Sequence, residues 1–333
     1  MEQFRPTYFD AFRCAAGSCP DSCCQQWTVL VDEDAAARYH ALPGPLGDRL
    51  RQVMCEEDGD WILRLEPDGR CPMWREDGLC RIQAQLGEEA LCHTCRQFPR
   101  LRHDYGDFIE LGLELSCPVA ARLILDDRAC QDICQTLPEG EAPDYDPLAM
   151  KTLLRSRDQA LRLLLNPAIS LPDALSILLL YGYHVQEELD GGECAQLDPE
   201  NLLSTARKLP QPGSMETVTA FFRTLEILTP SWEQRLRRPT PASWEDAHRA
   251  MARYLVKRYW LQAVSDYDLV SRVKLVIVSC LLVKHLGGDI YETAQQYSKE
   301  IENDADNVDA LLDAAYTEPA LADTRLLWLL QQA

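Results

Sequence analysis

The chain has 333 residues, which is enough for two ordinary domains or one large one. Hydrophobic residues make up 46% of it, so the chain can bury a substantial core without covalent cross-links. The formal net charge is −20, and this acidity argues against a nucleic-acid-binding protein, which usually carries a basic face.

The N-terminal sequence MEQFRPTYFDAFRC has no basic segment followed by an apolar one, so we predict no signal peptide. The longest hydrophobic stretch, Leu275 to Val283, has nine residues and is flanked by lysines. A membrane-spanning helix needs roughly 20 apolar residues. We therefore expect a cytoplasmic protein with no membrane partner.

Twelve of the fourteen cysteines lie between Cys14 and Cys134. This imbalance predicts a cysteine-rich domain over residues 1–136. The segment LPEGEAPDYDP, rich in proline, glycine and acidic residues, predicts a linker over 137–147. The remaining residues, 148–333, form the second predicted domain.

The cysteine-rich domain shows mixed secondary-structure signals. Asp32 precedes EDAAARYHAL as a helix N-cap. Two apolar runs around Asp68-Gly69 predict a β-hairpin. DFIELGLELSC alternates apolar and polar residues as a strand does, and Pro118 then suits the first turn of a helix.

The second domain has helical periodicity nearly throughout. PLAMKTLLRSRDQALRLLLN and LPDALSILLLYGYHVQEELDGG predict two long helices. A third helix follows Ser243, its predicted N-cap, and DLVSRVKLVIVSCLLVKHLGG predicts a central core helix. Two shorter helices are expected to close the chain. The predicted fold is mainly α: a cysteine-rich, metal-binding N-terminal domain with a few short strands, followed by an all-α domain.

The spacing of the cysteines indicates metal binding. A tight run of thiols begins at Cys14, and its potential partners lie in the distant segments CPMWREDGLC, LCHTCRQFPR and SCP. Both zinc sites and iron–sulfur clusters are built in this way, because short gaps let the chain turn around a cation. A purely structural zinc site is therefore the main competing interpretation. A disulfide framework is disfavoured in a reducing cytosol.

Cys23 and Cys24 are adjacent, which limits how they can bind metal. Neighbouring side chains diverge on a helix and on a strand, so we do not expect both thiols on one metal atom. The nine candidate thiols, in these segments together, can fill two four-coordinate sites with one left over. One centre and two centres both remain open.

These motifs together resemble the flagellin lysine-N-methylase family. The resemblance rests on FRCAAGSCPDSCCQQW, on GLCRIQ, on LGEE, on TCRQFPR and on SCPVAA, and it covers Thr7 to Leu125. A broader group of zinc- or iron-chelating proteins shares the cysteine pattern. The helical second part offers no comparable motif.

The resemblance implies a protein-lysine N-methyltransferase that uses S-adenosyl-L-methionine to modify flagellin and carries a [4Fe-4S] cluster, with zinc as the alternative metal. The metal ligands that it implies are Cys14, Cys19, Cys23, Cys24, Cys71, Cys80, Cys95 and Cys117. The family pattern usually has serine at the position of Cys92, which therefore ranks below these eight.

The sequence does not reveal the catalytic and cofactor-binding residues. It has no glycine-rich turn typical of a Rossmann-type nucleotide site, and Gln26 stands where a radical-type Cys-x3-Cys-x2-Cys motif would need cysteine. Tyr105, Tyr181, Tyr183 and Tyr259 are possible bases, but nothing selects one. The alternative function is a non-catalytic zinc- or iron–sulfur-binding module for redox chemistry or partner binding.

Overall fold

The computed structural model describes residues 1–138, 140 and 142–332. Glu139 and Glu141 of the predicted linker 137–147 lie outside the described residues. Fifteen α-helices and seven short strands occur in the part of the chain that is described, so the prediction of a mainly α protein with a few strands is confirmed.

All seven strands and the first five helices lie within the first 136 residues. The strands are β1 (Glu2–Pro6), β2 (Val29–Val31), β3 (Met54–Glu57), β4 (Asp60–Leu63), β5 (Arg100–Asp104), β6 (Phe108–Leu113) and β7 (Asp132–Thr136). The helices are α1 (Glu33–Ala41), α2 (Gly44–Val53), α3 (Arg81–Leu86), α4 (His93–Gln97) and α5 (Pro118–Asp126).

Two small sheets organise this part of the molecule. The larger has the strand order β5-β6-β1-β7, in which β1 pairs parallel with β6 and antiparallel with β7. The smaller is antiparallel, with the order β2-β4-β3. The strand predicted in DFIELGLELSC is confirmed as β6. It is an internal strand, and its Phe108, Ile109 and Leu113 are buried.

The predicted hairpin at Asp68-Gly69 is wrong. The structure forms its hairpin between β3 and β4, where Asp58 and Gly59 have φ values of +52° and +92°. Positive φ at both central residues is what a tight type I′ hairpin turn requires. Asp68-Gly69 does form a turn, but the residue after it, Arg70, forms an isolated bridge with Gln25.

Ten α-helices follow residue 146 in the part of the chain that the structure describes. They are α6 (Pro147–Leu165), α7 (Leu171–Leu189), α8 (Pro199–Ala206), α9 (Met215–Phe222), α10 (Pro230–Arg237), α11 (Asp246–Tyr259), α12 (Leu269–Leu286), α13 (Ile290–Tyr297), α14 (Ala305–Thr317) and α15 (Asp323–Gln331). The predicted long helices correspond to α6, α7, α11 and α12. Three helices close the chain after α12, one more than predicted.

Helix α12 is the central helix that the sequence predicts. It is buried on every face, and only its last-turn residues Lys284 and His285 are partly exposed. Gly287 ends it with φ +64°, where an added Cβ would lie 1.7 Å from the backbone oxygen of Thr240. Glycine is therefore the residue that this C-cap accepts.

The buried side chains form two hydrophobic cores. The smaller core lies within Val29 to Cys92 and joins α1, α2 and the three-stranded sheet. The larger core consists mainly of buried side chains from the helical part, and it also includes Phe12, Phe108 and the α5 residues Ile124 and Leu125. The helical part therefore packs on the four-stranded sheet and α5 in one continuous core. The predicted domain boundaries at 136 and 147 stay a prediction.

Helix α11 begins two residues later than Ser243 would require. Its N-cap is Glu245, whose side chain accepts from the backbone of His248 while the His248 ring accepts from the backbone N–H of Glu245. The Glu245 nitrogen lies 3.1 Å from His248 Nδ1. His248 is only 1% exposed and contacts the ring of Trp244 edge-on. Glu245 and His248 thus form a reciprocal capping box, in which Ser or Thr usually pairs with Glu or Gln.

The burial of His248 predicts a loss of stability in mild acid. Burial lowers the pKa of His248 from 6.5 to about 4. Between pH 6.5 and about pH 4, His248 binds a proton in the unfolded chain but not in the folded chain. The stabilisation from the neutral His248 is therefore fully present above pH 6.5 and is lost as the pH falls through this range. We expect a loss of about 3 kcal/mol from this group. Urea unfolding between pH 7 and pH 4 should show a shallower pH dependence for His248→Gln; equal dependence would contradict this.

No helix in the described ranges is both long and apolar enough to cross a membrane.

Candidate metal centre

The cysteines of the first thiol run lie outside α-helices and strands, and Cys14 and Cys19 flank the 3-10 helical turn Ala16–Ser18. Cys14 Sγ accepts a hydrogen bond from the backbone N–H of Ala16 at 3.3 Å. The thiol of Cys19 donates to the backbone oxygen of Asp21 at 3.2 Å. Cys19 has extended backbone angles, φ −67° and ψ 126°, as expected for a residue before proline.

The loop from Cys71 to Cys80 docks on the first thiol run through backbone contacts. The N–H of Cys71 donates to the oxygen of Cys24 at 2.8 Å. Farther along, Gly78 has φ +78°, and a Cβ there would lie 2.9 Å from the Cα of Gly17. This close approach of two backbones needs glycine at Gly78.

Helix α4 carries the third group of thiols. Cys92 is its N-cap residue and is 1% exposed, and Cys95 lies one turn farther on. Asp32 orients this helix: one carboxylate oxygen caps α1 at Ala35, as predicted, and the other accepts from the backbone N–H of His93 at 2.6 Å. A single carboxylate therefore links the starts of two helices.

Cys117 occupies the position just before α5. Its backbone is extended, with φ −89° and ψ 125°, and Pro118 is the first residue of the helix, as predicted. The side chain is 7% exposed, and burial raises the pKa of the Cys117 thiol to about 11. The helix start thus aims a buried thiol toward the other cysteine loops.

These segments meet around one cavity of about 300 Å³, which we call the thiol cavity. Nine cysteines line it: Cys14, Cys19, Cys23, Cys24, Cys71, Cys80, Cys92, Cys95 and Cys117. Arg13, Arg96 and Arg100 also line it, and Tyr39 lies on its wall with its hydroxyl bonded to the oxygen of Ala90 at 2.8 Å. Cys55, Cys130 and Cys134 do not line this cavity.

Two groups of sulfurs inside the thiol cavity favour a negative charge. Hydrogen bonds from the thiols of Cys23 and Cys71 lower the pKa of Cys24 to about 3. A hydrogen bond from Cys95 lowers the pKa of Cys92 to about 7. Cys23, Cys71 and Cys95 have raised pKa values, because each keeps its proton to donate a hydrogen bond to the neighbouring sulfur and because each is buried. Thiolates are the form that binds metal.

Cys23 and Cys24 share one space, while the expectation that they do not both bind one metal atom stays a prediction. Both residues line the thiol cavity. The reason is that they lie in a turn, whereas the expected divergence applies to regular helix and strand geometry.

The donor set of the thiol cavity suits a thiolate-bound iron–sulfur centre in type and number, because all fourteen cysteines of the chain are free and nine of them share one space. Within the described ranges, no three His, Cys, Asp or Glu side chains form a group that could hold a metal ion. The metal centre and its eight predicted ligands therefore stay a prediction, and no reaction step is derived through a metal.

Sequence reasoning undervalued Cys92, which lines the same cavity as the eight higher-ranked thiols. It also did not single out the arginines of the cavity wall, although Arg13 and Arg96 are direct sequence neighbours of cysteines. The four tyrosines named as possible bases do not line the thiol cavity. Tyr183 and Tyr259 instead donate to carboxylates of the helical part, Asp323 at 2.7 Å and Glu302 at 3.1 Å.

Comparison with known proteins identifies relatives of this chain. It is 33% identical over 128 residues to the flagellar biosynthetic protein FliU of Salmonella muenchen, a match that covers 37% of this chain and 76% of FliU. Two proteins named lysine-N-methylase, from Salmonella typhimurium and Salmonella choleraesuis, match at the same identity. The chain belongs to the flagellin lysine-N-methylase family.

The match spans 32% of the length of each of the two lysine-N-methylases, so this flagellin lysine-N-methylase family member aligns with about a third of their length. No family model matches the chain, and no solved structure matches it. The resemblance predicted from the sequence is confirmed.

Proposed function

We propose that this protein is an S-adenosyl-L-methionine-dependent protein-lysine N-methyltransferase that modifies flagellin and holds a [4Fe-4S] cluster in the thiol cavity. The observation that carries the proposal is that nine thiols from four separate segments line one cavity in a chain related to lysine-N-methylases. The residues that would hold the cluster are among the eight predicted cysteines and Cys92.

The reaction is an in-line displacement. The lone pair of the lysine amine forms a bond to the methyl carbon, the bond from that carbon to the sulfonium sulfur breaks, and its electrons stay on sulfur. The amine must be neutral to attack. With a lysine pKa near 10.4, reaching the neutral form near pH 7 costs about 5 kcal/mol. A base or an apolar pocket must supply this free energy, and the product nitrogen then loses its extra proton to that base or to water.

The thiol cavity offers features that support binding of the methyl donor. S-adenosyl-L-methionine carries a carboxylate, and Arg13, Arg96 and Arg100 are among the residues that line the cavity. Guanidinium groups are well suited to bind carboxylates through paired hydrogen bonds. When bound, a cluster with an open iron position could hold the amino-acid end of the donor.

Flagellin methylation is the direct test of the proposed function. Purified protein, handled without oxygen, is incubated with flagellin and methyl-labelled S-adenosyl-L-methionine, and the flagellin peptides are analysed by mass spectrometry. We expect label on lysine side chains, and none when the protein is omitted. A preparation that is folded and loaded with metal but leaves every flagellin lysine unlabelled would contradict the proposal and favour the non-catalytic module.

A further inference from the structure

The first thiol run is tied to the helical part through one acidic side chain. Asp21 lies between Cys19 and Cys23 and lines the thiol cavity. Gln295 of α13 donates from Nε2 to Asp21 Oδ2 at 2.8 Å. Lys299, one turn later, donates from Nζ to Asp21 Oδ1 at 2.8 Å. Each carboxylate oxygen therefore has its own donor from a segment more than 270 residues away, as the sequence separations of 274 and 278 show.

The same Gln295 amide also reaches a second thiol-bearing loop. Its Nε2 donates to the backbone oxygen of Ser116 at 2.7 Å. Ser116 is 2% exposed and immediately precedes Cys117. An amide nitrogen has two hydrogens, and here they satisfy one acceptor in each loop. Gln295 thus joins two loops that are far apart in sequence but meet at the thiol cavity.

These two side chains are buried. Gln295 is 8% exposed and Lys299 is 3% exposed, at the end of α13 and in the π-helical turn Ser298–Glu302 that continues it. The Lys299 ammonium also lies 5.4 Å from the centre of the Trp27 ring. A buried ammonium loses its hydration, so it is tolerated only where a carboxylate and an aromatic face replace the lost water.

We propose that Gln295 and Lys299 are positioning residues that fix the Cys19–Cys23 loop and Cys117 at the thiol cavity. The backbone of Asp21 is also tied to the site, because the Cys19 thiol donates to its oxygen. Holding the Asp21 side chain therefore restrains the Cys19 sulfur through a single residue. In this arrangement the helical part determines where three of the cavity thiols lie.

The chain offers a clean variant and a matched control. Lys299→Met removes the buried ammonium, and Asp21 can then be hydrated because its side chain is 32% exposed. Lys257→Met is the control, because it breaks another lysine–aspartate pair, that with Asp132, away from the thiol cavity. Gln295→Leu is the second variant and removes one hydrogen bond from each of the two loops, while Lys299 still pairs with Asp21.

The readout is the alkylation rate of each cysteine, measured by mass spectrometry on the full-length protein after chelation and reduction. For Lys299→Met we expect Cys19 and Cys23 to react on the order of tenfold faster, because loss of a tether increases local opening. For Gln295→Leu we expect Cys117 to accelerate as well. In both variants we expect the wild-type alkylation rate for the thiols in the other loops of the cavity, Cys71, Cys80, Cys92 and Cys95.

This pattern of rates distinguishes positioning from general stability. The proposal would be overturned if the alkylation rates of all nine thiols rose equally, or if those of Cys19, Cys23 and Cys117 did not change. It would also be overturned if Lys257→Met accelerated the alkylation of these three thiols. Iron and sulfide bound after anaerobic reconstitution give a second readout, which should fall in both variants and remain normal in the control. The alkylation measurement needs neither metal nor methyltransferase activity, so its result is independent of the proposed function.

Discussion

Cys24→Ser is expected to lower the metal content of the protein on the order of tenfold or more, since even outer contacts of a metal site contribute factors of this size. Hydrogen bonding from the neighbouring Cys23 and Cys71 thiols lowers the pKa of Cys24, so this sulfur favours the thiolate form. A metal ion would replace those protons. Serine keeps the size of the side chain but does not supply a thiolate.

The measurement is a count of iron, zinc and acid-labile sulfide per chain after anaerobic purification, together with the absorption spectrum. For the wild-type protein the cluster predicts about four irons and four sulfides per chain and a brown colour. Cys134→Ser is the matched control, because Cys134 is an exposed thiol on β7 outside the cavity. Wild-type metal content in Cys24→Ser would contradict the role of Cys24, and zinc without sulfide would contradict the cluster.

Cys19→Ser and Cys117→Ser separate a catalytic from a structural role for the metal. A variant that stays folded and binds the methyl donor, yet does not methylate flagellin, would place the metal in catalysis. A variant that aggregates would indicate that the metal holds the thiol-bearing loops together, which fits their lack of regular secondary structure: Cys19, Cys23 and Cys24 all lie in turns or extended segments.

The helical part was predictable because its information is local. Helices α6, α7 and α12 each carry a run of apolar residues with helical or wholly buried character, and proline or glycine marks their ends. Local rules also predicted Asp32 and Pro118 correctly. They failed at Ser243, because Glu245 and His248 satisfy each other's backbone groups and this reciprocal bond outweighs the simpler serine cap.

The arrangement of the cysteine-rich part depends on contacts that no local pattern encodes. The sheet order follows from pairing β1 with β6 and β7, more than 100 residues apart in sequence, as the partners Glu2, Phe108 and Thr136 show. Cysteine spacing indicated metal chemistry and named the thiols. It did not indicate that Gln295 donates a hydrogen bond to Asp21, because the two residues are 274 positions apart in sequence.

Arg258→Met is expected to lower the free energy of unfolding by about 3–5 kcal/mol, the usual effect of removing one partner of a buried ion pair. The Arg258 Nε lies 3.3 Å from Glu302 Oε1, and these side chains are 11% and 1% exposed. In the variant, the Glu302 carboxylate stays buried, and the donors left to it among the described residues are the hydroxyls of Tyr254 and Tyr259. Such a loss is a large part of the 5–15 kcal/mol that stabilises a typical protein.

Urea unfolding followed by circular dichroism measures this effect. Arg237→Met is the matched control: Arg237 pairs with Glu233 on the surface, where the side chains are 66% and 45% exposed, and exposed pairs contribute about 0–1 kcal/mol. The double variant Arg258→Met, Glu302→Leu should recover much of the loss, because it removes the buried charge that the single variant leaves unpaired. Equal free energies of unfolding for Arg258→Met and Arg237→Met would show that the Glu302 carboxylate is not held in a buried site. If the double variant is no more stable than Arg258→Met, the loss is due to packing and not to the unpaired charge.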